Sequence, residues 1–297
     1  MAVPLYTPVT VSAMPFRLDM DCGVVSLGSC FADEVGRRMQ QGGFAVELNP
    51  FGTVYNPASV AASVDRLCAD SEITAADLVQ HEGLWHSWHH HGSFSRPTAT
   101  ETLELCNSRL HIAHRALRKA RLLMVTFGTA WVFEYVGRQA HAPSIVANCH
   151  KLPASVFSRR MMTVDEIVAL WQPLLQRLAG LNAGLHIVFS VSPIRHMADG
   201  AHGNQLSKST LLLSVERLAC QQLPLPVSYF PAYEIVLDEL RDYRFYGPDM
   251  VHPSPLAADI VYDRFQQACM TPATIQQAHN NAKQHRREQH IPMWCAG

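Results

Sequence analysis

Five short runs rich in β-branched and apolar residues, at 23–27, 44–48, 122–127, 186–191 and 227–230, alternate along this chain with segments of helical period at 33–41, 58–69, 100–119, 163–179 and 206–222. Each run has the length of a strand, and each connection is long enough for a crossover helix, so the strands are expected to pair in parallel with helices on both faces. The pattern predicts an α/β three-layer sandwich around a five-stranded parallel sheet of order 2-1-3-4-5. Helix starts are written into the sequence: Thr98 with Glu101 and Thr163 with Glu166 have capping-box spacing, and Ser254 followed by Pro255 opens the last helix of the sheet domain.

A doubly wound sheet binds its ligand outside the carboxyl ends of the strands, where the strand order reverses. The residues that follow the runs fit that expectation. Gly28-Ser29-Cys30 follows the first, Asn49-Pro50-Phe51-Gly52-Thr53 the second, Gly128-Thr129-Ala130-Trp131 the third, Ser192-Pro193-Ile194-Arg195-His196 the fourth and Pro231-Ala232-Tyr233-Glu234 the fifth. Asp249 and His252 stand just before the final helix. A hydroxyl or thiol nucleophile needs a base within hydrogen-bond reach and a third group to orient that base. Cys30 or Ser29 as nucleophile, His252 as base and Asp249 as its orienter supply all three, which points to acyl chemistry.

Composition narrows the partners. The 297 residues, 48% hydrophobic and 16% charged, are enough to bury a large core, and nothing marks a boundary between two domains. The expected division is a leader at 1–20, a catalytic domain at 21–270 and a polar tail at 271–297, read as a frayed helix or an interaction arm. A formal charge of -1 gives no long-range pull on nucleic acid or an anionic membrane, so the expected partner is a small molecule. No apolar run nears the roughly 20 residues that span a bilayer, no signal peptide is evident, and the expected compartment is the cytoplasm. The cysteines are scattered without a CxxC pair, which fits reduced thiols, and neither a metal nor another cofactor is expected. Two stretches, about 77–98 and 131–162, exceed the simple alternation and are read as insertions that form lids or short hairpins over the site. The first carries His86, His89, His90 and His91, whose spacing alone is a weak metal signal, and is read as a contributor to substrate contact.

The segment Gly28-Ser29-Cys30-Phe31-Ala32 resembles the motif of the GSCFA family. The resemblance extends over roughly residues 21–268 through Asn49-Pro50-Phe51-Gly52, Asn148-Cys149-His150-Lys151, Val191-Ser192-Pro193-Ile194-Arg195-His196 and Leu240-Arg241-Asp242-Tyr243-Arg244-Phe245-Tyr246. That family is similar to the GDSL or SGNH hydrolases, which implies a flavodoxin-like sheet, a nucleophile after the first strand and an Asp-x-x-His pair before the last helix. Two departures stand out. Gly-Asp-Ser of the GDSL pattern is Gly28-Ser29-Cys30 here, so a gap-free superposition puts Cys30 at the nucleophile position. The Gly-x-Asn that helps bind the oxyanion is Gly128-Thr129-Ala130, so Asn148, Asn49 or Thr129 must replace it, or the backbone amides of Cys30 and Gly52 carry it.

The expected activity is therefore that of an esterase or acyltransferase that forms a covalent acyl-enzyme on a small ester or thioester, with an alcohol or amine as acceptor in the transferase case. Gly52, Gly128 and Asn148 are the expected oxyanion or close-approach residues. Arg195 and His196, with Lys208, form either a solvated basic patch or a site for a substrate carboxylate or phosphate. The rival reading is a non-catalytic glycan- or peptide-binding module on the same fold.

Overall fold

The computed structural model describes residues 6–137 and 144–289; parts of the expected leader, second insertion and tail lie outside the described residues. The elements run β1 (Val24–Gly28), α1 (Cys30–Gln41), β2 (Val46–Leu48), α2 (Pro57–Ala69), β3 (Leu78–His81), β4 (Leu84–Ser87), α3 (Ala99–Leu117), β5 (Leu122–Phe127), β6 (Trp131–Tyr135), β7 (Ile145–Val146), β8 (Phe157–Met161), α4 (Val164–Leu181), β9 (His186–Val191), α5 (Gly200–Ala219), β10 (Val227–Phe230), α6 (Ala232–Glu234), α7 (Pro255–Cys269) and α8 (Pro272–Gln289).

Five of these strands form one parallel sheet, ordered β2-β1-β5-β9-β10. Counted over ten strands this reads 2-1-5-9-10, where 2-1-3-4-5 was expected over five. The difference lies in a β3-β4 hairpin and a three-stranded antiparallel sheet, β7-β6-β8, which occupy the two stretches expected to be lids or short hairpins and were not counted among the five strands. Successive residues of a strand face opposite sides of a sheet, and both sides here are covered. Val25, Leu27, Leu123, Val125, Phe127, Ile187, Phe189 and Val191 enter the core under α2, α3, α4 and α5. Val24, Leu122, Met124, Val188 and Phe230 enter a second core under α1 and α7. The register brings Gly28, Thr126 and Ser190 into one row at the carboxyl ends of β1, β5 and β9.

Both capping boxes form, and Ser254 caps α7 by accepting a hydrogen bond from the Ala257 amide. Two boundaries differ from expectation in ways that bear on the site. The first helix begins at Cys30, directly after the Ser29 N-cap, and not at Asp33. The fifth begins at Gly200, not near residue 206, because its inner face is polar: Asn204, Ser207 and Lys208 are buried there and break the apolar period.

Beyond the central sheet, Met14, Phe16 and Leu18 of the expected leader are buried in the second core, with the Met14 and Leu18 amides bonded to the end of α7. The described part of the tail is α8, which buries Ala278 beside Gly42 at the end of α1 and ties Asn281 Nδ2 to the Gly42 carbonyl. Among the described residues every cysteine is a free thiol, and no helix is long and apolar enough to cross a membrane.

Candidate active site

At the end of β1 the chain must turn at once from strand to helix. Gly28 has φ of 140°, and a Cβ there would lie 2.2 Å from the Thr126 carbonyl oxygen, so only glycine fits. Ser29 then donates its amide to that same carbonyl and caps α1 with its backbone, which leaves Cys30 as the first helical residue. The opening amides of a helix have no acceptor within it, and the helix dipole favours negative charge beside them.

The two candidate nucleophiles differ in setting. Ser29 is 2% exposed, and its Oγ has no hydrogen-bond partner. Cys30 is only partly buried and its Sγ lies 3.4 Å from the Tyr55 hydroxyl. Both residues line a cleft of about 740 Å³ that is also lined by His252, His196, Asn56, Asn148 and Arg195.

His252 is held by a tight loop. Its Nδ1 lies 2.5 Å from Asp249 Oδ2, while the other carboxylate oxygen accepts the Val251 and His252 amides at 3.0 and 2.9 Å. The His252 and Val251 amides and the His252 ring hold the Asp249 carboxyl down at about 2, so it is an anion throughout the physiological range. An anion at Nδ1 keeps the ring proton on that nitrogen and leaves Nε2 free for proton transfer.

Several expected oxyanion residues have other work. The Gly52 amide donates to the Asn49 carbonyl at 2.7 Å, Gly52 does not line the cleft, and a Cβ on it would lie 2.4 Å from that of His91: the glycine serves close approach of the first insertion, not a ligand. Gly128 is likewise engaged on both sides, its amide with the Tyr55 carbonyl at 2.7 Å and its own carbonyl with Lys208 Nζ at 2.6 Å. Asn49 is spent on the turn, accepting from the Gly28 amide and donating to Asp33, both at 2.8 Å. The Thr129 amide also goes to Tyr55, and its hydroxyl meets Ser207 Oγ at 3.1 Å. Asn148 does line the cleft. Its Oδ1 accepts the His150 amide, which leaves the side-chain NH₂ as a donor.

The basic patch divides. Lys208 is fully buried and donates to the Gly128 and Ser192 carbonyls, with burial pushing its amine down to about 7, so it is no part of a surface patch. His196 lines the cleft and is held neutral; burial, then Lys208, lowers it to about 4. Arg195 lines the cleft and is exposed, with no ion pair among the described residues. The histidines of the first insertion do not line the cleft: His86 Nε2 donates to the His81 carbonyl, His89 meets Asp77, His90 meets Ser87 Oγ and His91 accepts the Ser93 amide. His150 stacks on His86 with ring centres 4.5 Å apart and donates to the Ser87 carbonyl, tying the insertion to the Asn148 turn.

Sequence reasoning missed Tyr55, Asn56 and the apolar wall. Asn56 caps α2 through Oδ1, accepting the Ser59 amide at 2.8 Å, and turns the rest of its amide toward no described partner while lining the cleft. Asn56-Pro57 is a helix-start signal that was there to be read. Trp131 and Phe133 of β6 and Val146 of β7 form the wall, with Arg159 of β8 stacked 4.4 Å over the Trp131 ring and paired with Asp199.

The fold and cleft define a three-layer α/β protein whose thiol, imidazole and carboxylate gather at the carboxyl rim of a parallel sheet. The chain matches the GSCFA family over residues 23–265, and it belongs to that family. It is similar to the crystal structure of a carbohydrate esterase family 3 from Talaromyces cellulolyticus, with a TM-score of 0.36 and 10% identity, over 87% of this chain and 99% of that one. No curated protein matches the chain.

Proposed function

We propose that this protein is an SGNH-type esterase or acyltransferase that works through a thioester on Cys30. The observation that carries the reading is that the Cys30 thiol, at the first residue of α1, lines the same cleft as His252, whose Nδ1 is anchored 2.5 Å from Asp249. Ser29 is the weaker candidate because its hydroxyl is buried and has no hydrogen-bond partner.

In the first half-reaction His252 Nε2 takes the thiol proton and sulfur attacks the acyl carbonyl; the S–C bond forms as the π pair moves onto oxygen. Collapse of that tetrahedral intermediate expels the alcohol or thiol, which takes its proton from His252. In the second half, water or an acceptor alcohol or amine gives a proton to His252, attacks the thioester and releases the Cys30 sulfur. The unpaired amide of Cys30 and the side-chain NH₂ groups of Asn148 and Asn56 are the donors available to the oxyanion. A cysteine nucleophile favours transfer from a thioester donor, because the intermediate is itself a thioester. The largely apolar wall of Trp131, Phe133 and Val146 suits a hydrocarbon acyl group, and Arg195 suits an anionic group elsewhere on the donor.

The test is intact mass after incubation with an activated ester and, separately, an acyl thioester. One acyl group retained by the wild type and by Ser29→Ala, and lost in Cys30→Ala, is the expected result. No site-specific adduct, with ligand binding intact, would overturn the reading in favour of a binding module.

A further inference from the structure

Tyr55 is the hydrogen-bond partner of Cys30 Sγ among the described residues, at 3.4 Å. It is held there firmly. Its carbonyl accepts the amides of Gly128 and Thr129 at 2.7 and 3.1 Å, and its ring packs so closely on Gly128 that a Cβ there would lie 3.2 Å from Cδ1. The ring meets His196 edge-on with centres 5.9 Å apart, and the next residue, Asn56, caps α2. A side chain fixed at backbone, ring and neighbour keeps its hydroxyl on the sulfur with little entropy left to lose.

We propose that Tyr55 is a catalytic residue whose hydroxyl donates a hydrogen bond to the Cys30 sulfur once His252 has taken its proton, and to the oxyanion once sulfur has attacked. The proposal rests on the reading of Cys30 as nucleophile. A thiolate has no hydrogen, so Tyr55 must be the donor, and burial together with the adjacent Cys30 sulfur pushes its phenol well above the usual range, which keeps its proton in place. No proton moves in this role. As the S–C bond forms, the sulfur lone pair is consumed and the negative charge passes to an oxygen two bonds away, within the swing of a hydroxyl already aimed at sulfur. Tyr55 thus takes the part of the side-chain donor missing from Gly128-Thr129-Ala130, and it holds the two amides of that segment through its own carbonyl.

The experiment is the pH dependence of Cys30 alkylation by iodoacetamide, followed on the Cys30 peptide by mass spectrometry, in wild type, Tyr55→Phe and Tyr55→His. Loss of a hydrogen bond to the thiolate raises the midpoint in Tyr55→Phe by about one pH unit. Tyr55→His, which restores a ring donor, returns part of that shift. At a pH above both midpoints, where sulfur is ionised in each protein, Tyr55→Phe still acylates about tenfold more slowly, because the oxyanion has lost its donor. An unmoved midpoint in Tyr55→Phe with a native melting temperature overturns the proposal, and equal acylation rates at high pH overturn its oxyanion half. Alkylation needs no acyl donor, so an unmoved midpoint in a protein that acylates rejects Tyr55 alone. A moved midpoint in a protein that never acylates rejects the thioester reaction and, with it, any catalytic part for Tyr55.

Discussion

At the scale of single residues the site is a set of groups whose alternative uses are closed off. Asp249 is half exposed, yet three donors converge on its two oxygens, two of them from the loop that carries His252. It therefore sets both the loop and the ring. Asp249→Asn keeps the size and can still accept the two amides, but a neutral amide has no charge to hold the proton on Nδ1 or to stabilise the imidazolium that forms during turnover. The expected outcome is a fall of roughly 10²- to 10⁴-fold in kcat for acyl turnover, with the melting temperature and KM nearly unchanged. Steady-state kinetics with an activated ester checks this, and a variant retaining more than half of wild-type kcat would remove Asp249 from the machinery. A drop in melting temperature of many degrees would instead assign it to the loop.

At the scale of elements, α5 organises the rim. Three of its residues, within about one turn, each reach a loop that lines the cleft: Asn204 Oδ1 accepts the His196 amide, Ser207 Oγ accepts the Ala130 amide, and Lys208 Nζ donates to the carbonyls of Gly128 and Ser192. The ends of β5 and β9 are thus joined through one side chain. Lys208→Met keeps the length and leaves two buried carbonyls without a donor, at a cost of about 1–3 kcal/mol, partly offset by the easier burial of a thioether. Urea unfolding should show that loss, and acyl turnover should fall in kcat/KM as the Gly128 and Ser192 loops relax. Unaltered stability together with unaltered turnover would mean that the rim holds without the amine.

This same element shows where the sequence stops being readable. The strands β1, β5, β9 and β10 were legible because their apolar runs are bounded by turns, and a buried strand needs little more than that. The polar inner face of α5 has no such signature, since a buried lysine and an exposed one are written alike, and Lys208 was grouped with Arg195 and His196 for that reason. Cys30, Asp249 and His252 were singled out from their places at strand and helix ends. Whether the amides of Gly52 and Gly128 were free depended on which carbonyls reached them from Asn49 and Tyr55, and contacts of that kind are made only in the folded chain. Tyr55 was hidden for a related reason: an aromatic residue on a rim loop reads as core until its neighbours are known.

At the scale of the whole molecule, His90 and His150 in the inserted segments, with His196 on the cleft, give the fold a sensitivity to mild acid. His90 lies well below its ordinary value, chiefly through burial and then through His89 and Arg66; burial also lowers His150 to about 4 and His196 to about 4. In the unfolded chain these rings titrate near 6.5. Between about pH 6.5 and 4 the unfolded state therefore binds more protons than the folded one, and stability rises with pH across that window. Acidification loses up to about 1.4 kcal/mol per pH unit for each such ring. Asp249, depressed to about 2, acts in the same sense at the low end, since its contribution is present above the ordinary carboxylate value and is lost as pH falls from there through about 2. The expected result is a melting temperature that declines steadily from about pH 6.5 downward, well before carboxylate protonation begins. His150→Gln should flatten part of that decline while lowering stability at pH 8, because the glutamine does not titrate but fits poorly between His86 and the Ser87 carbonyl. Calorimetry of both proteins across this range decides the matter. A wild-type melting temperature that stays level from pH 7 to about 4.5 would show that the rings gain their protons without opening the fold.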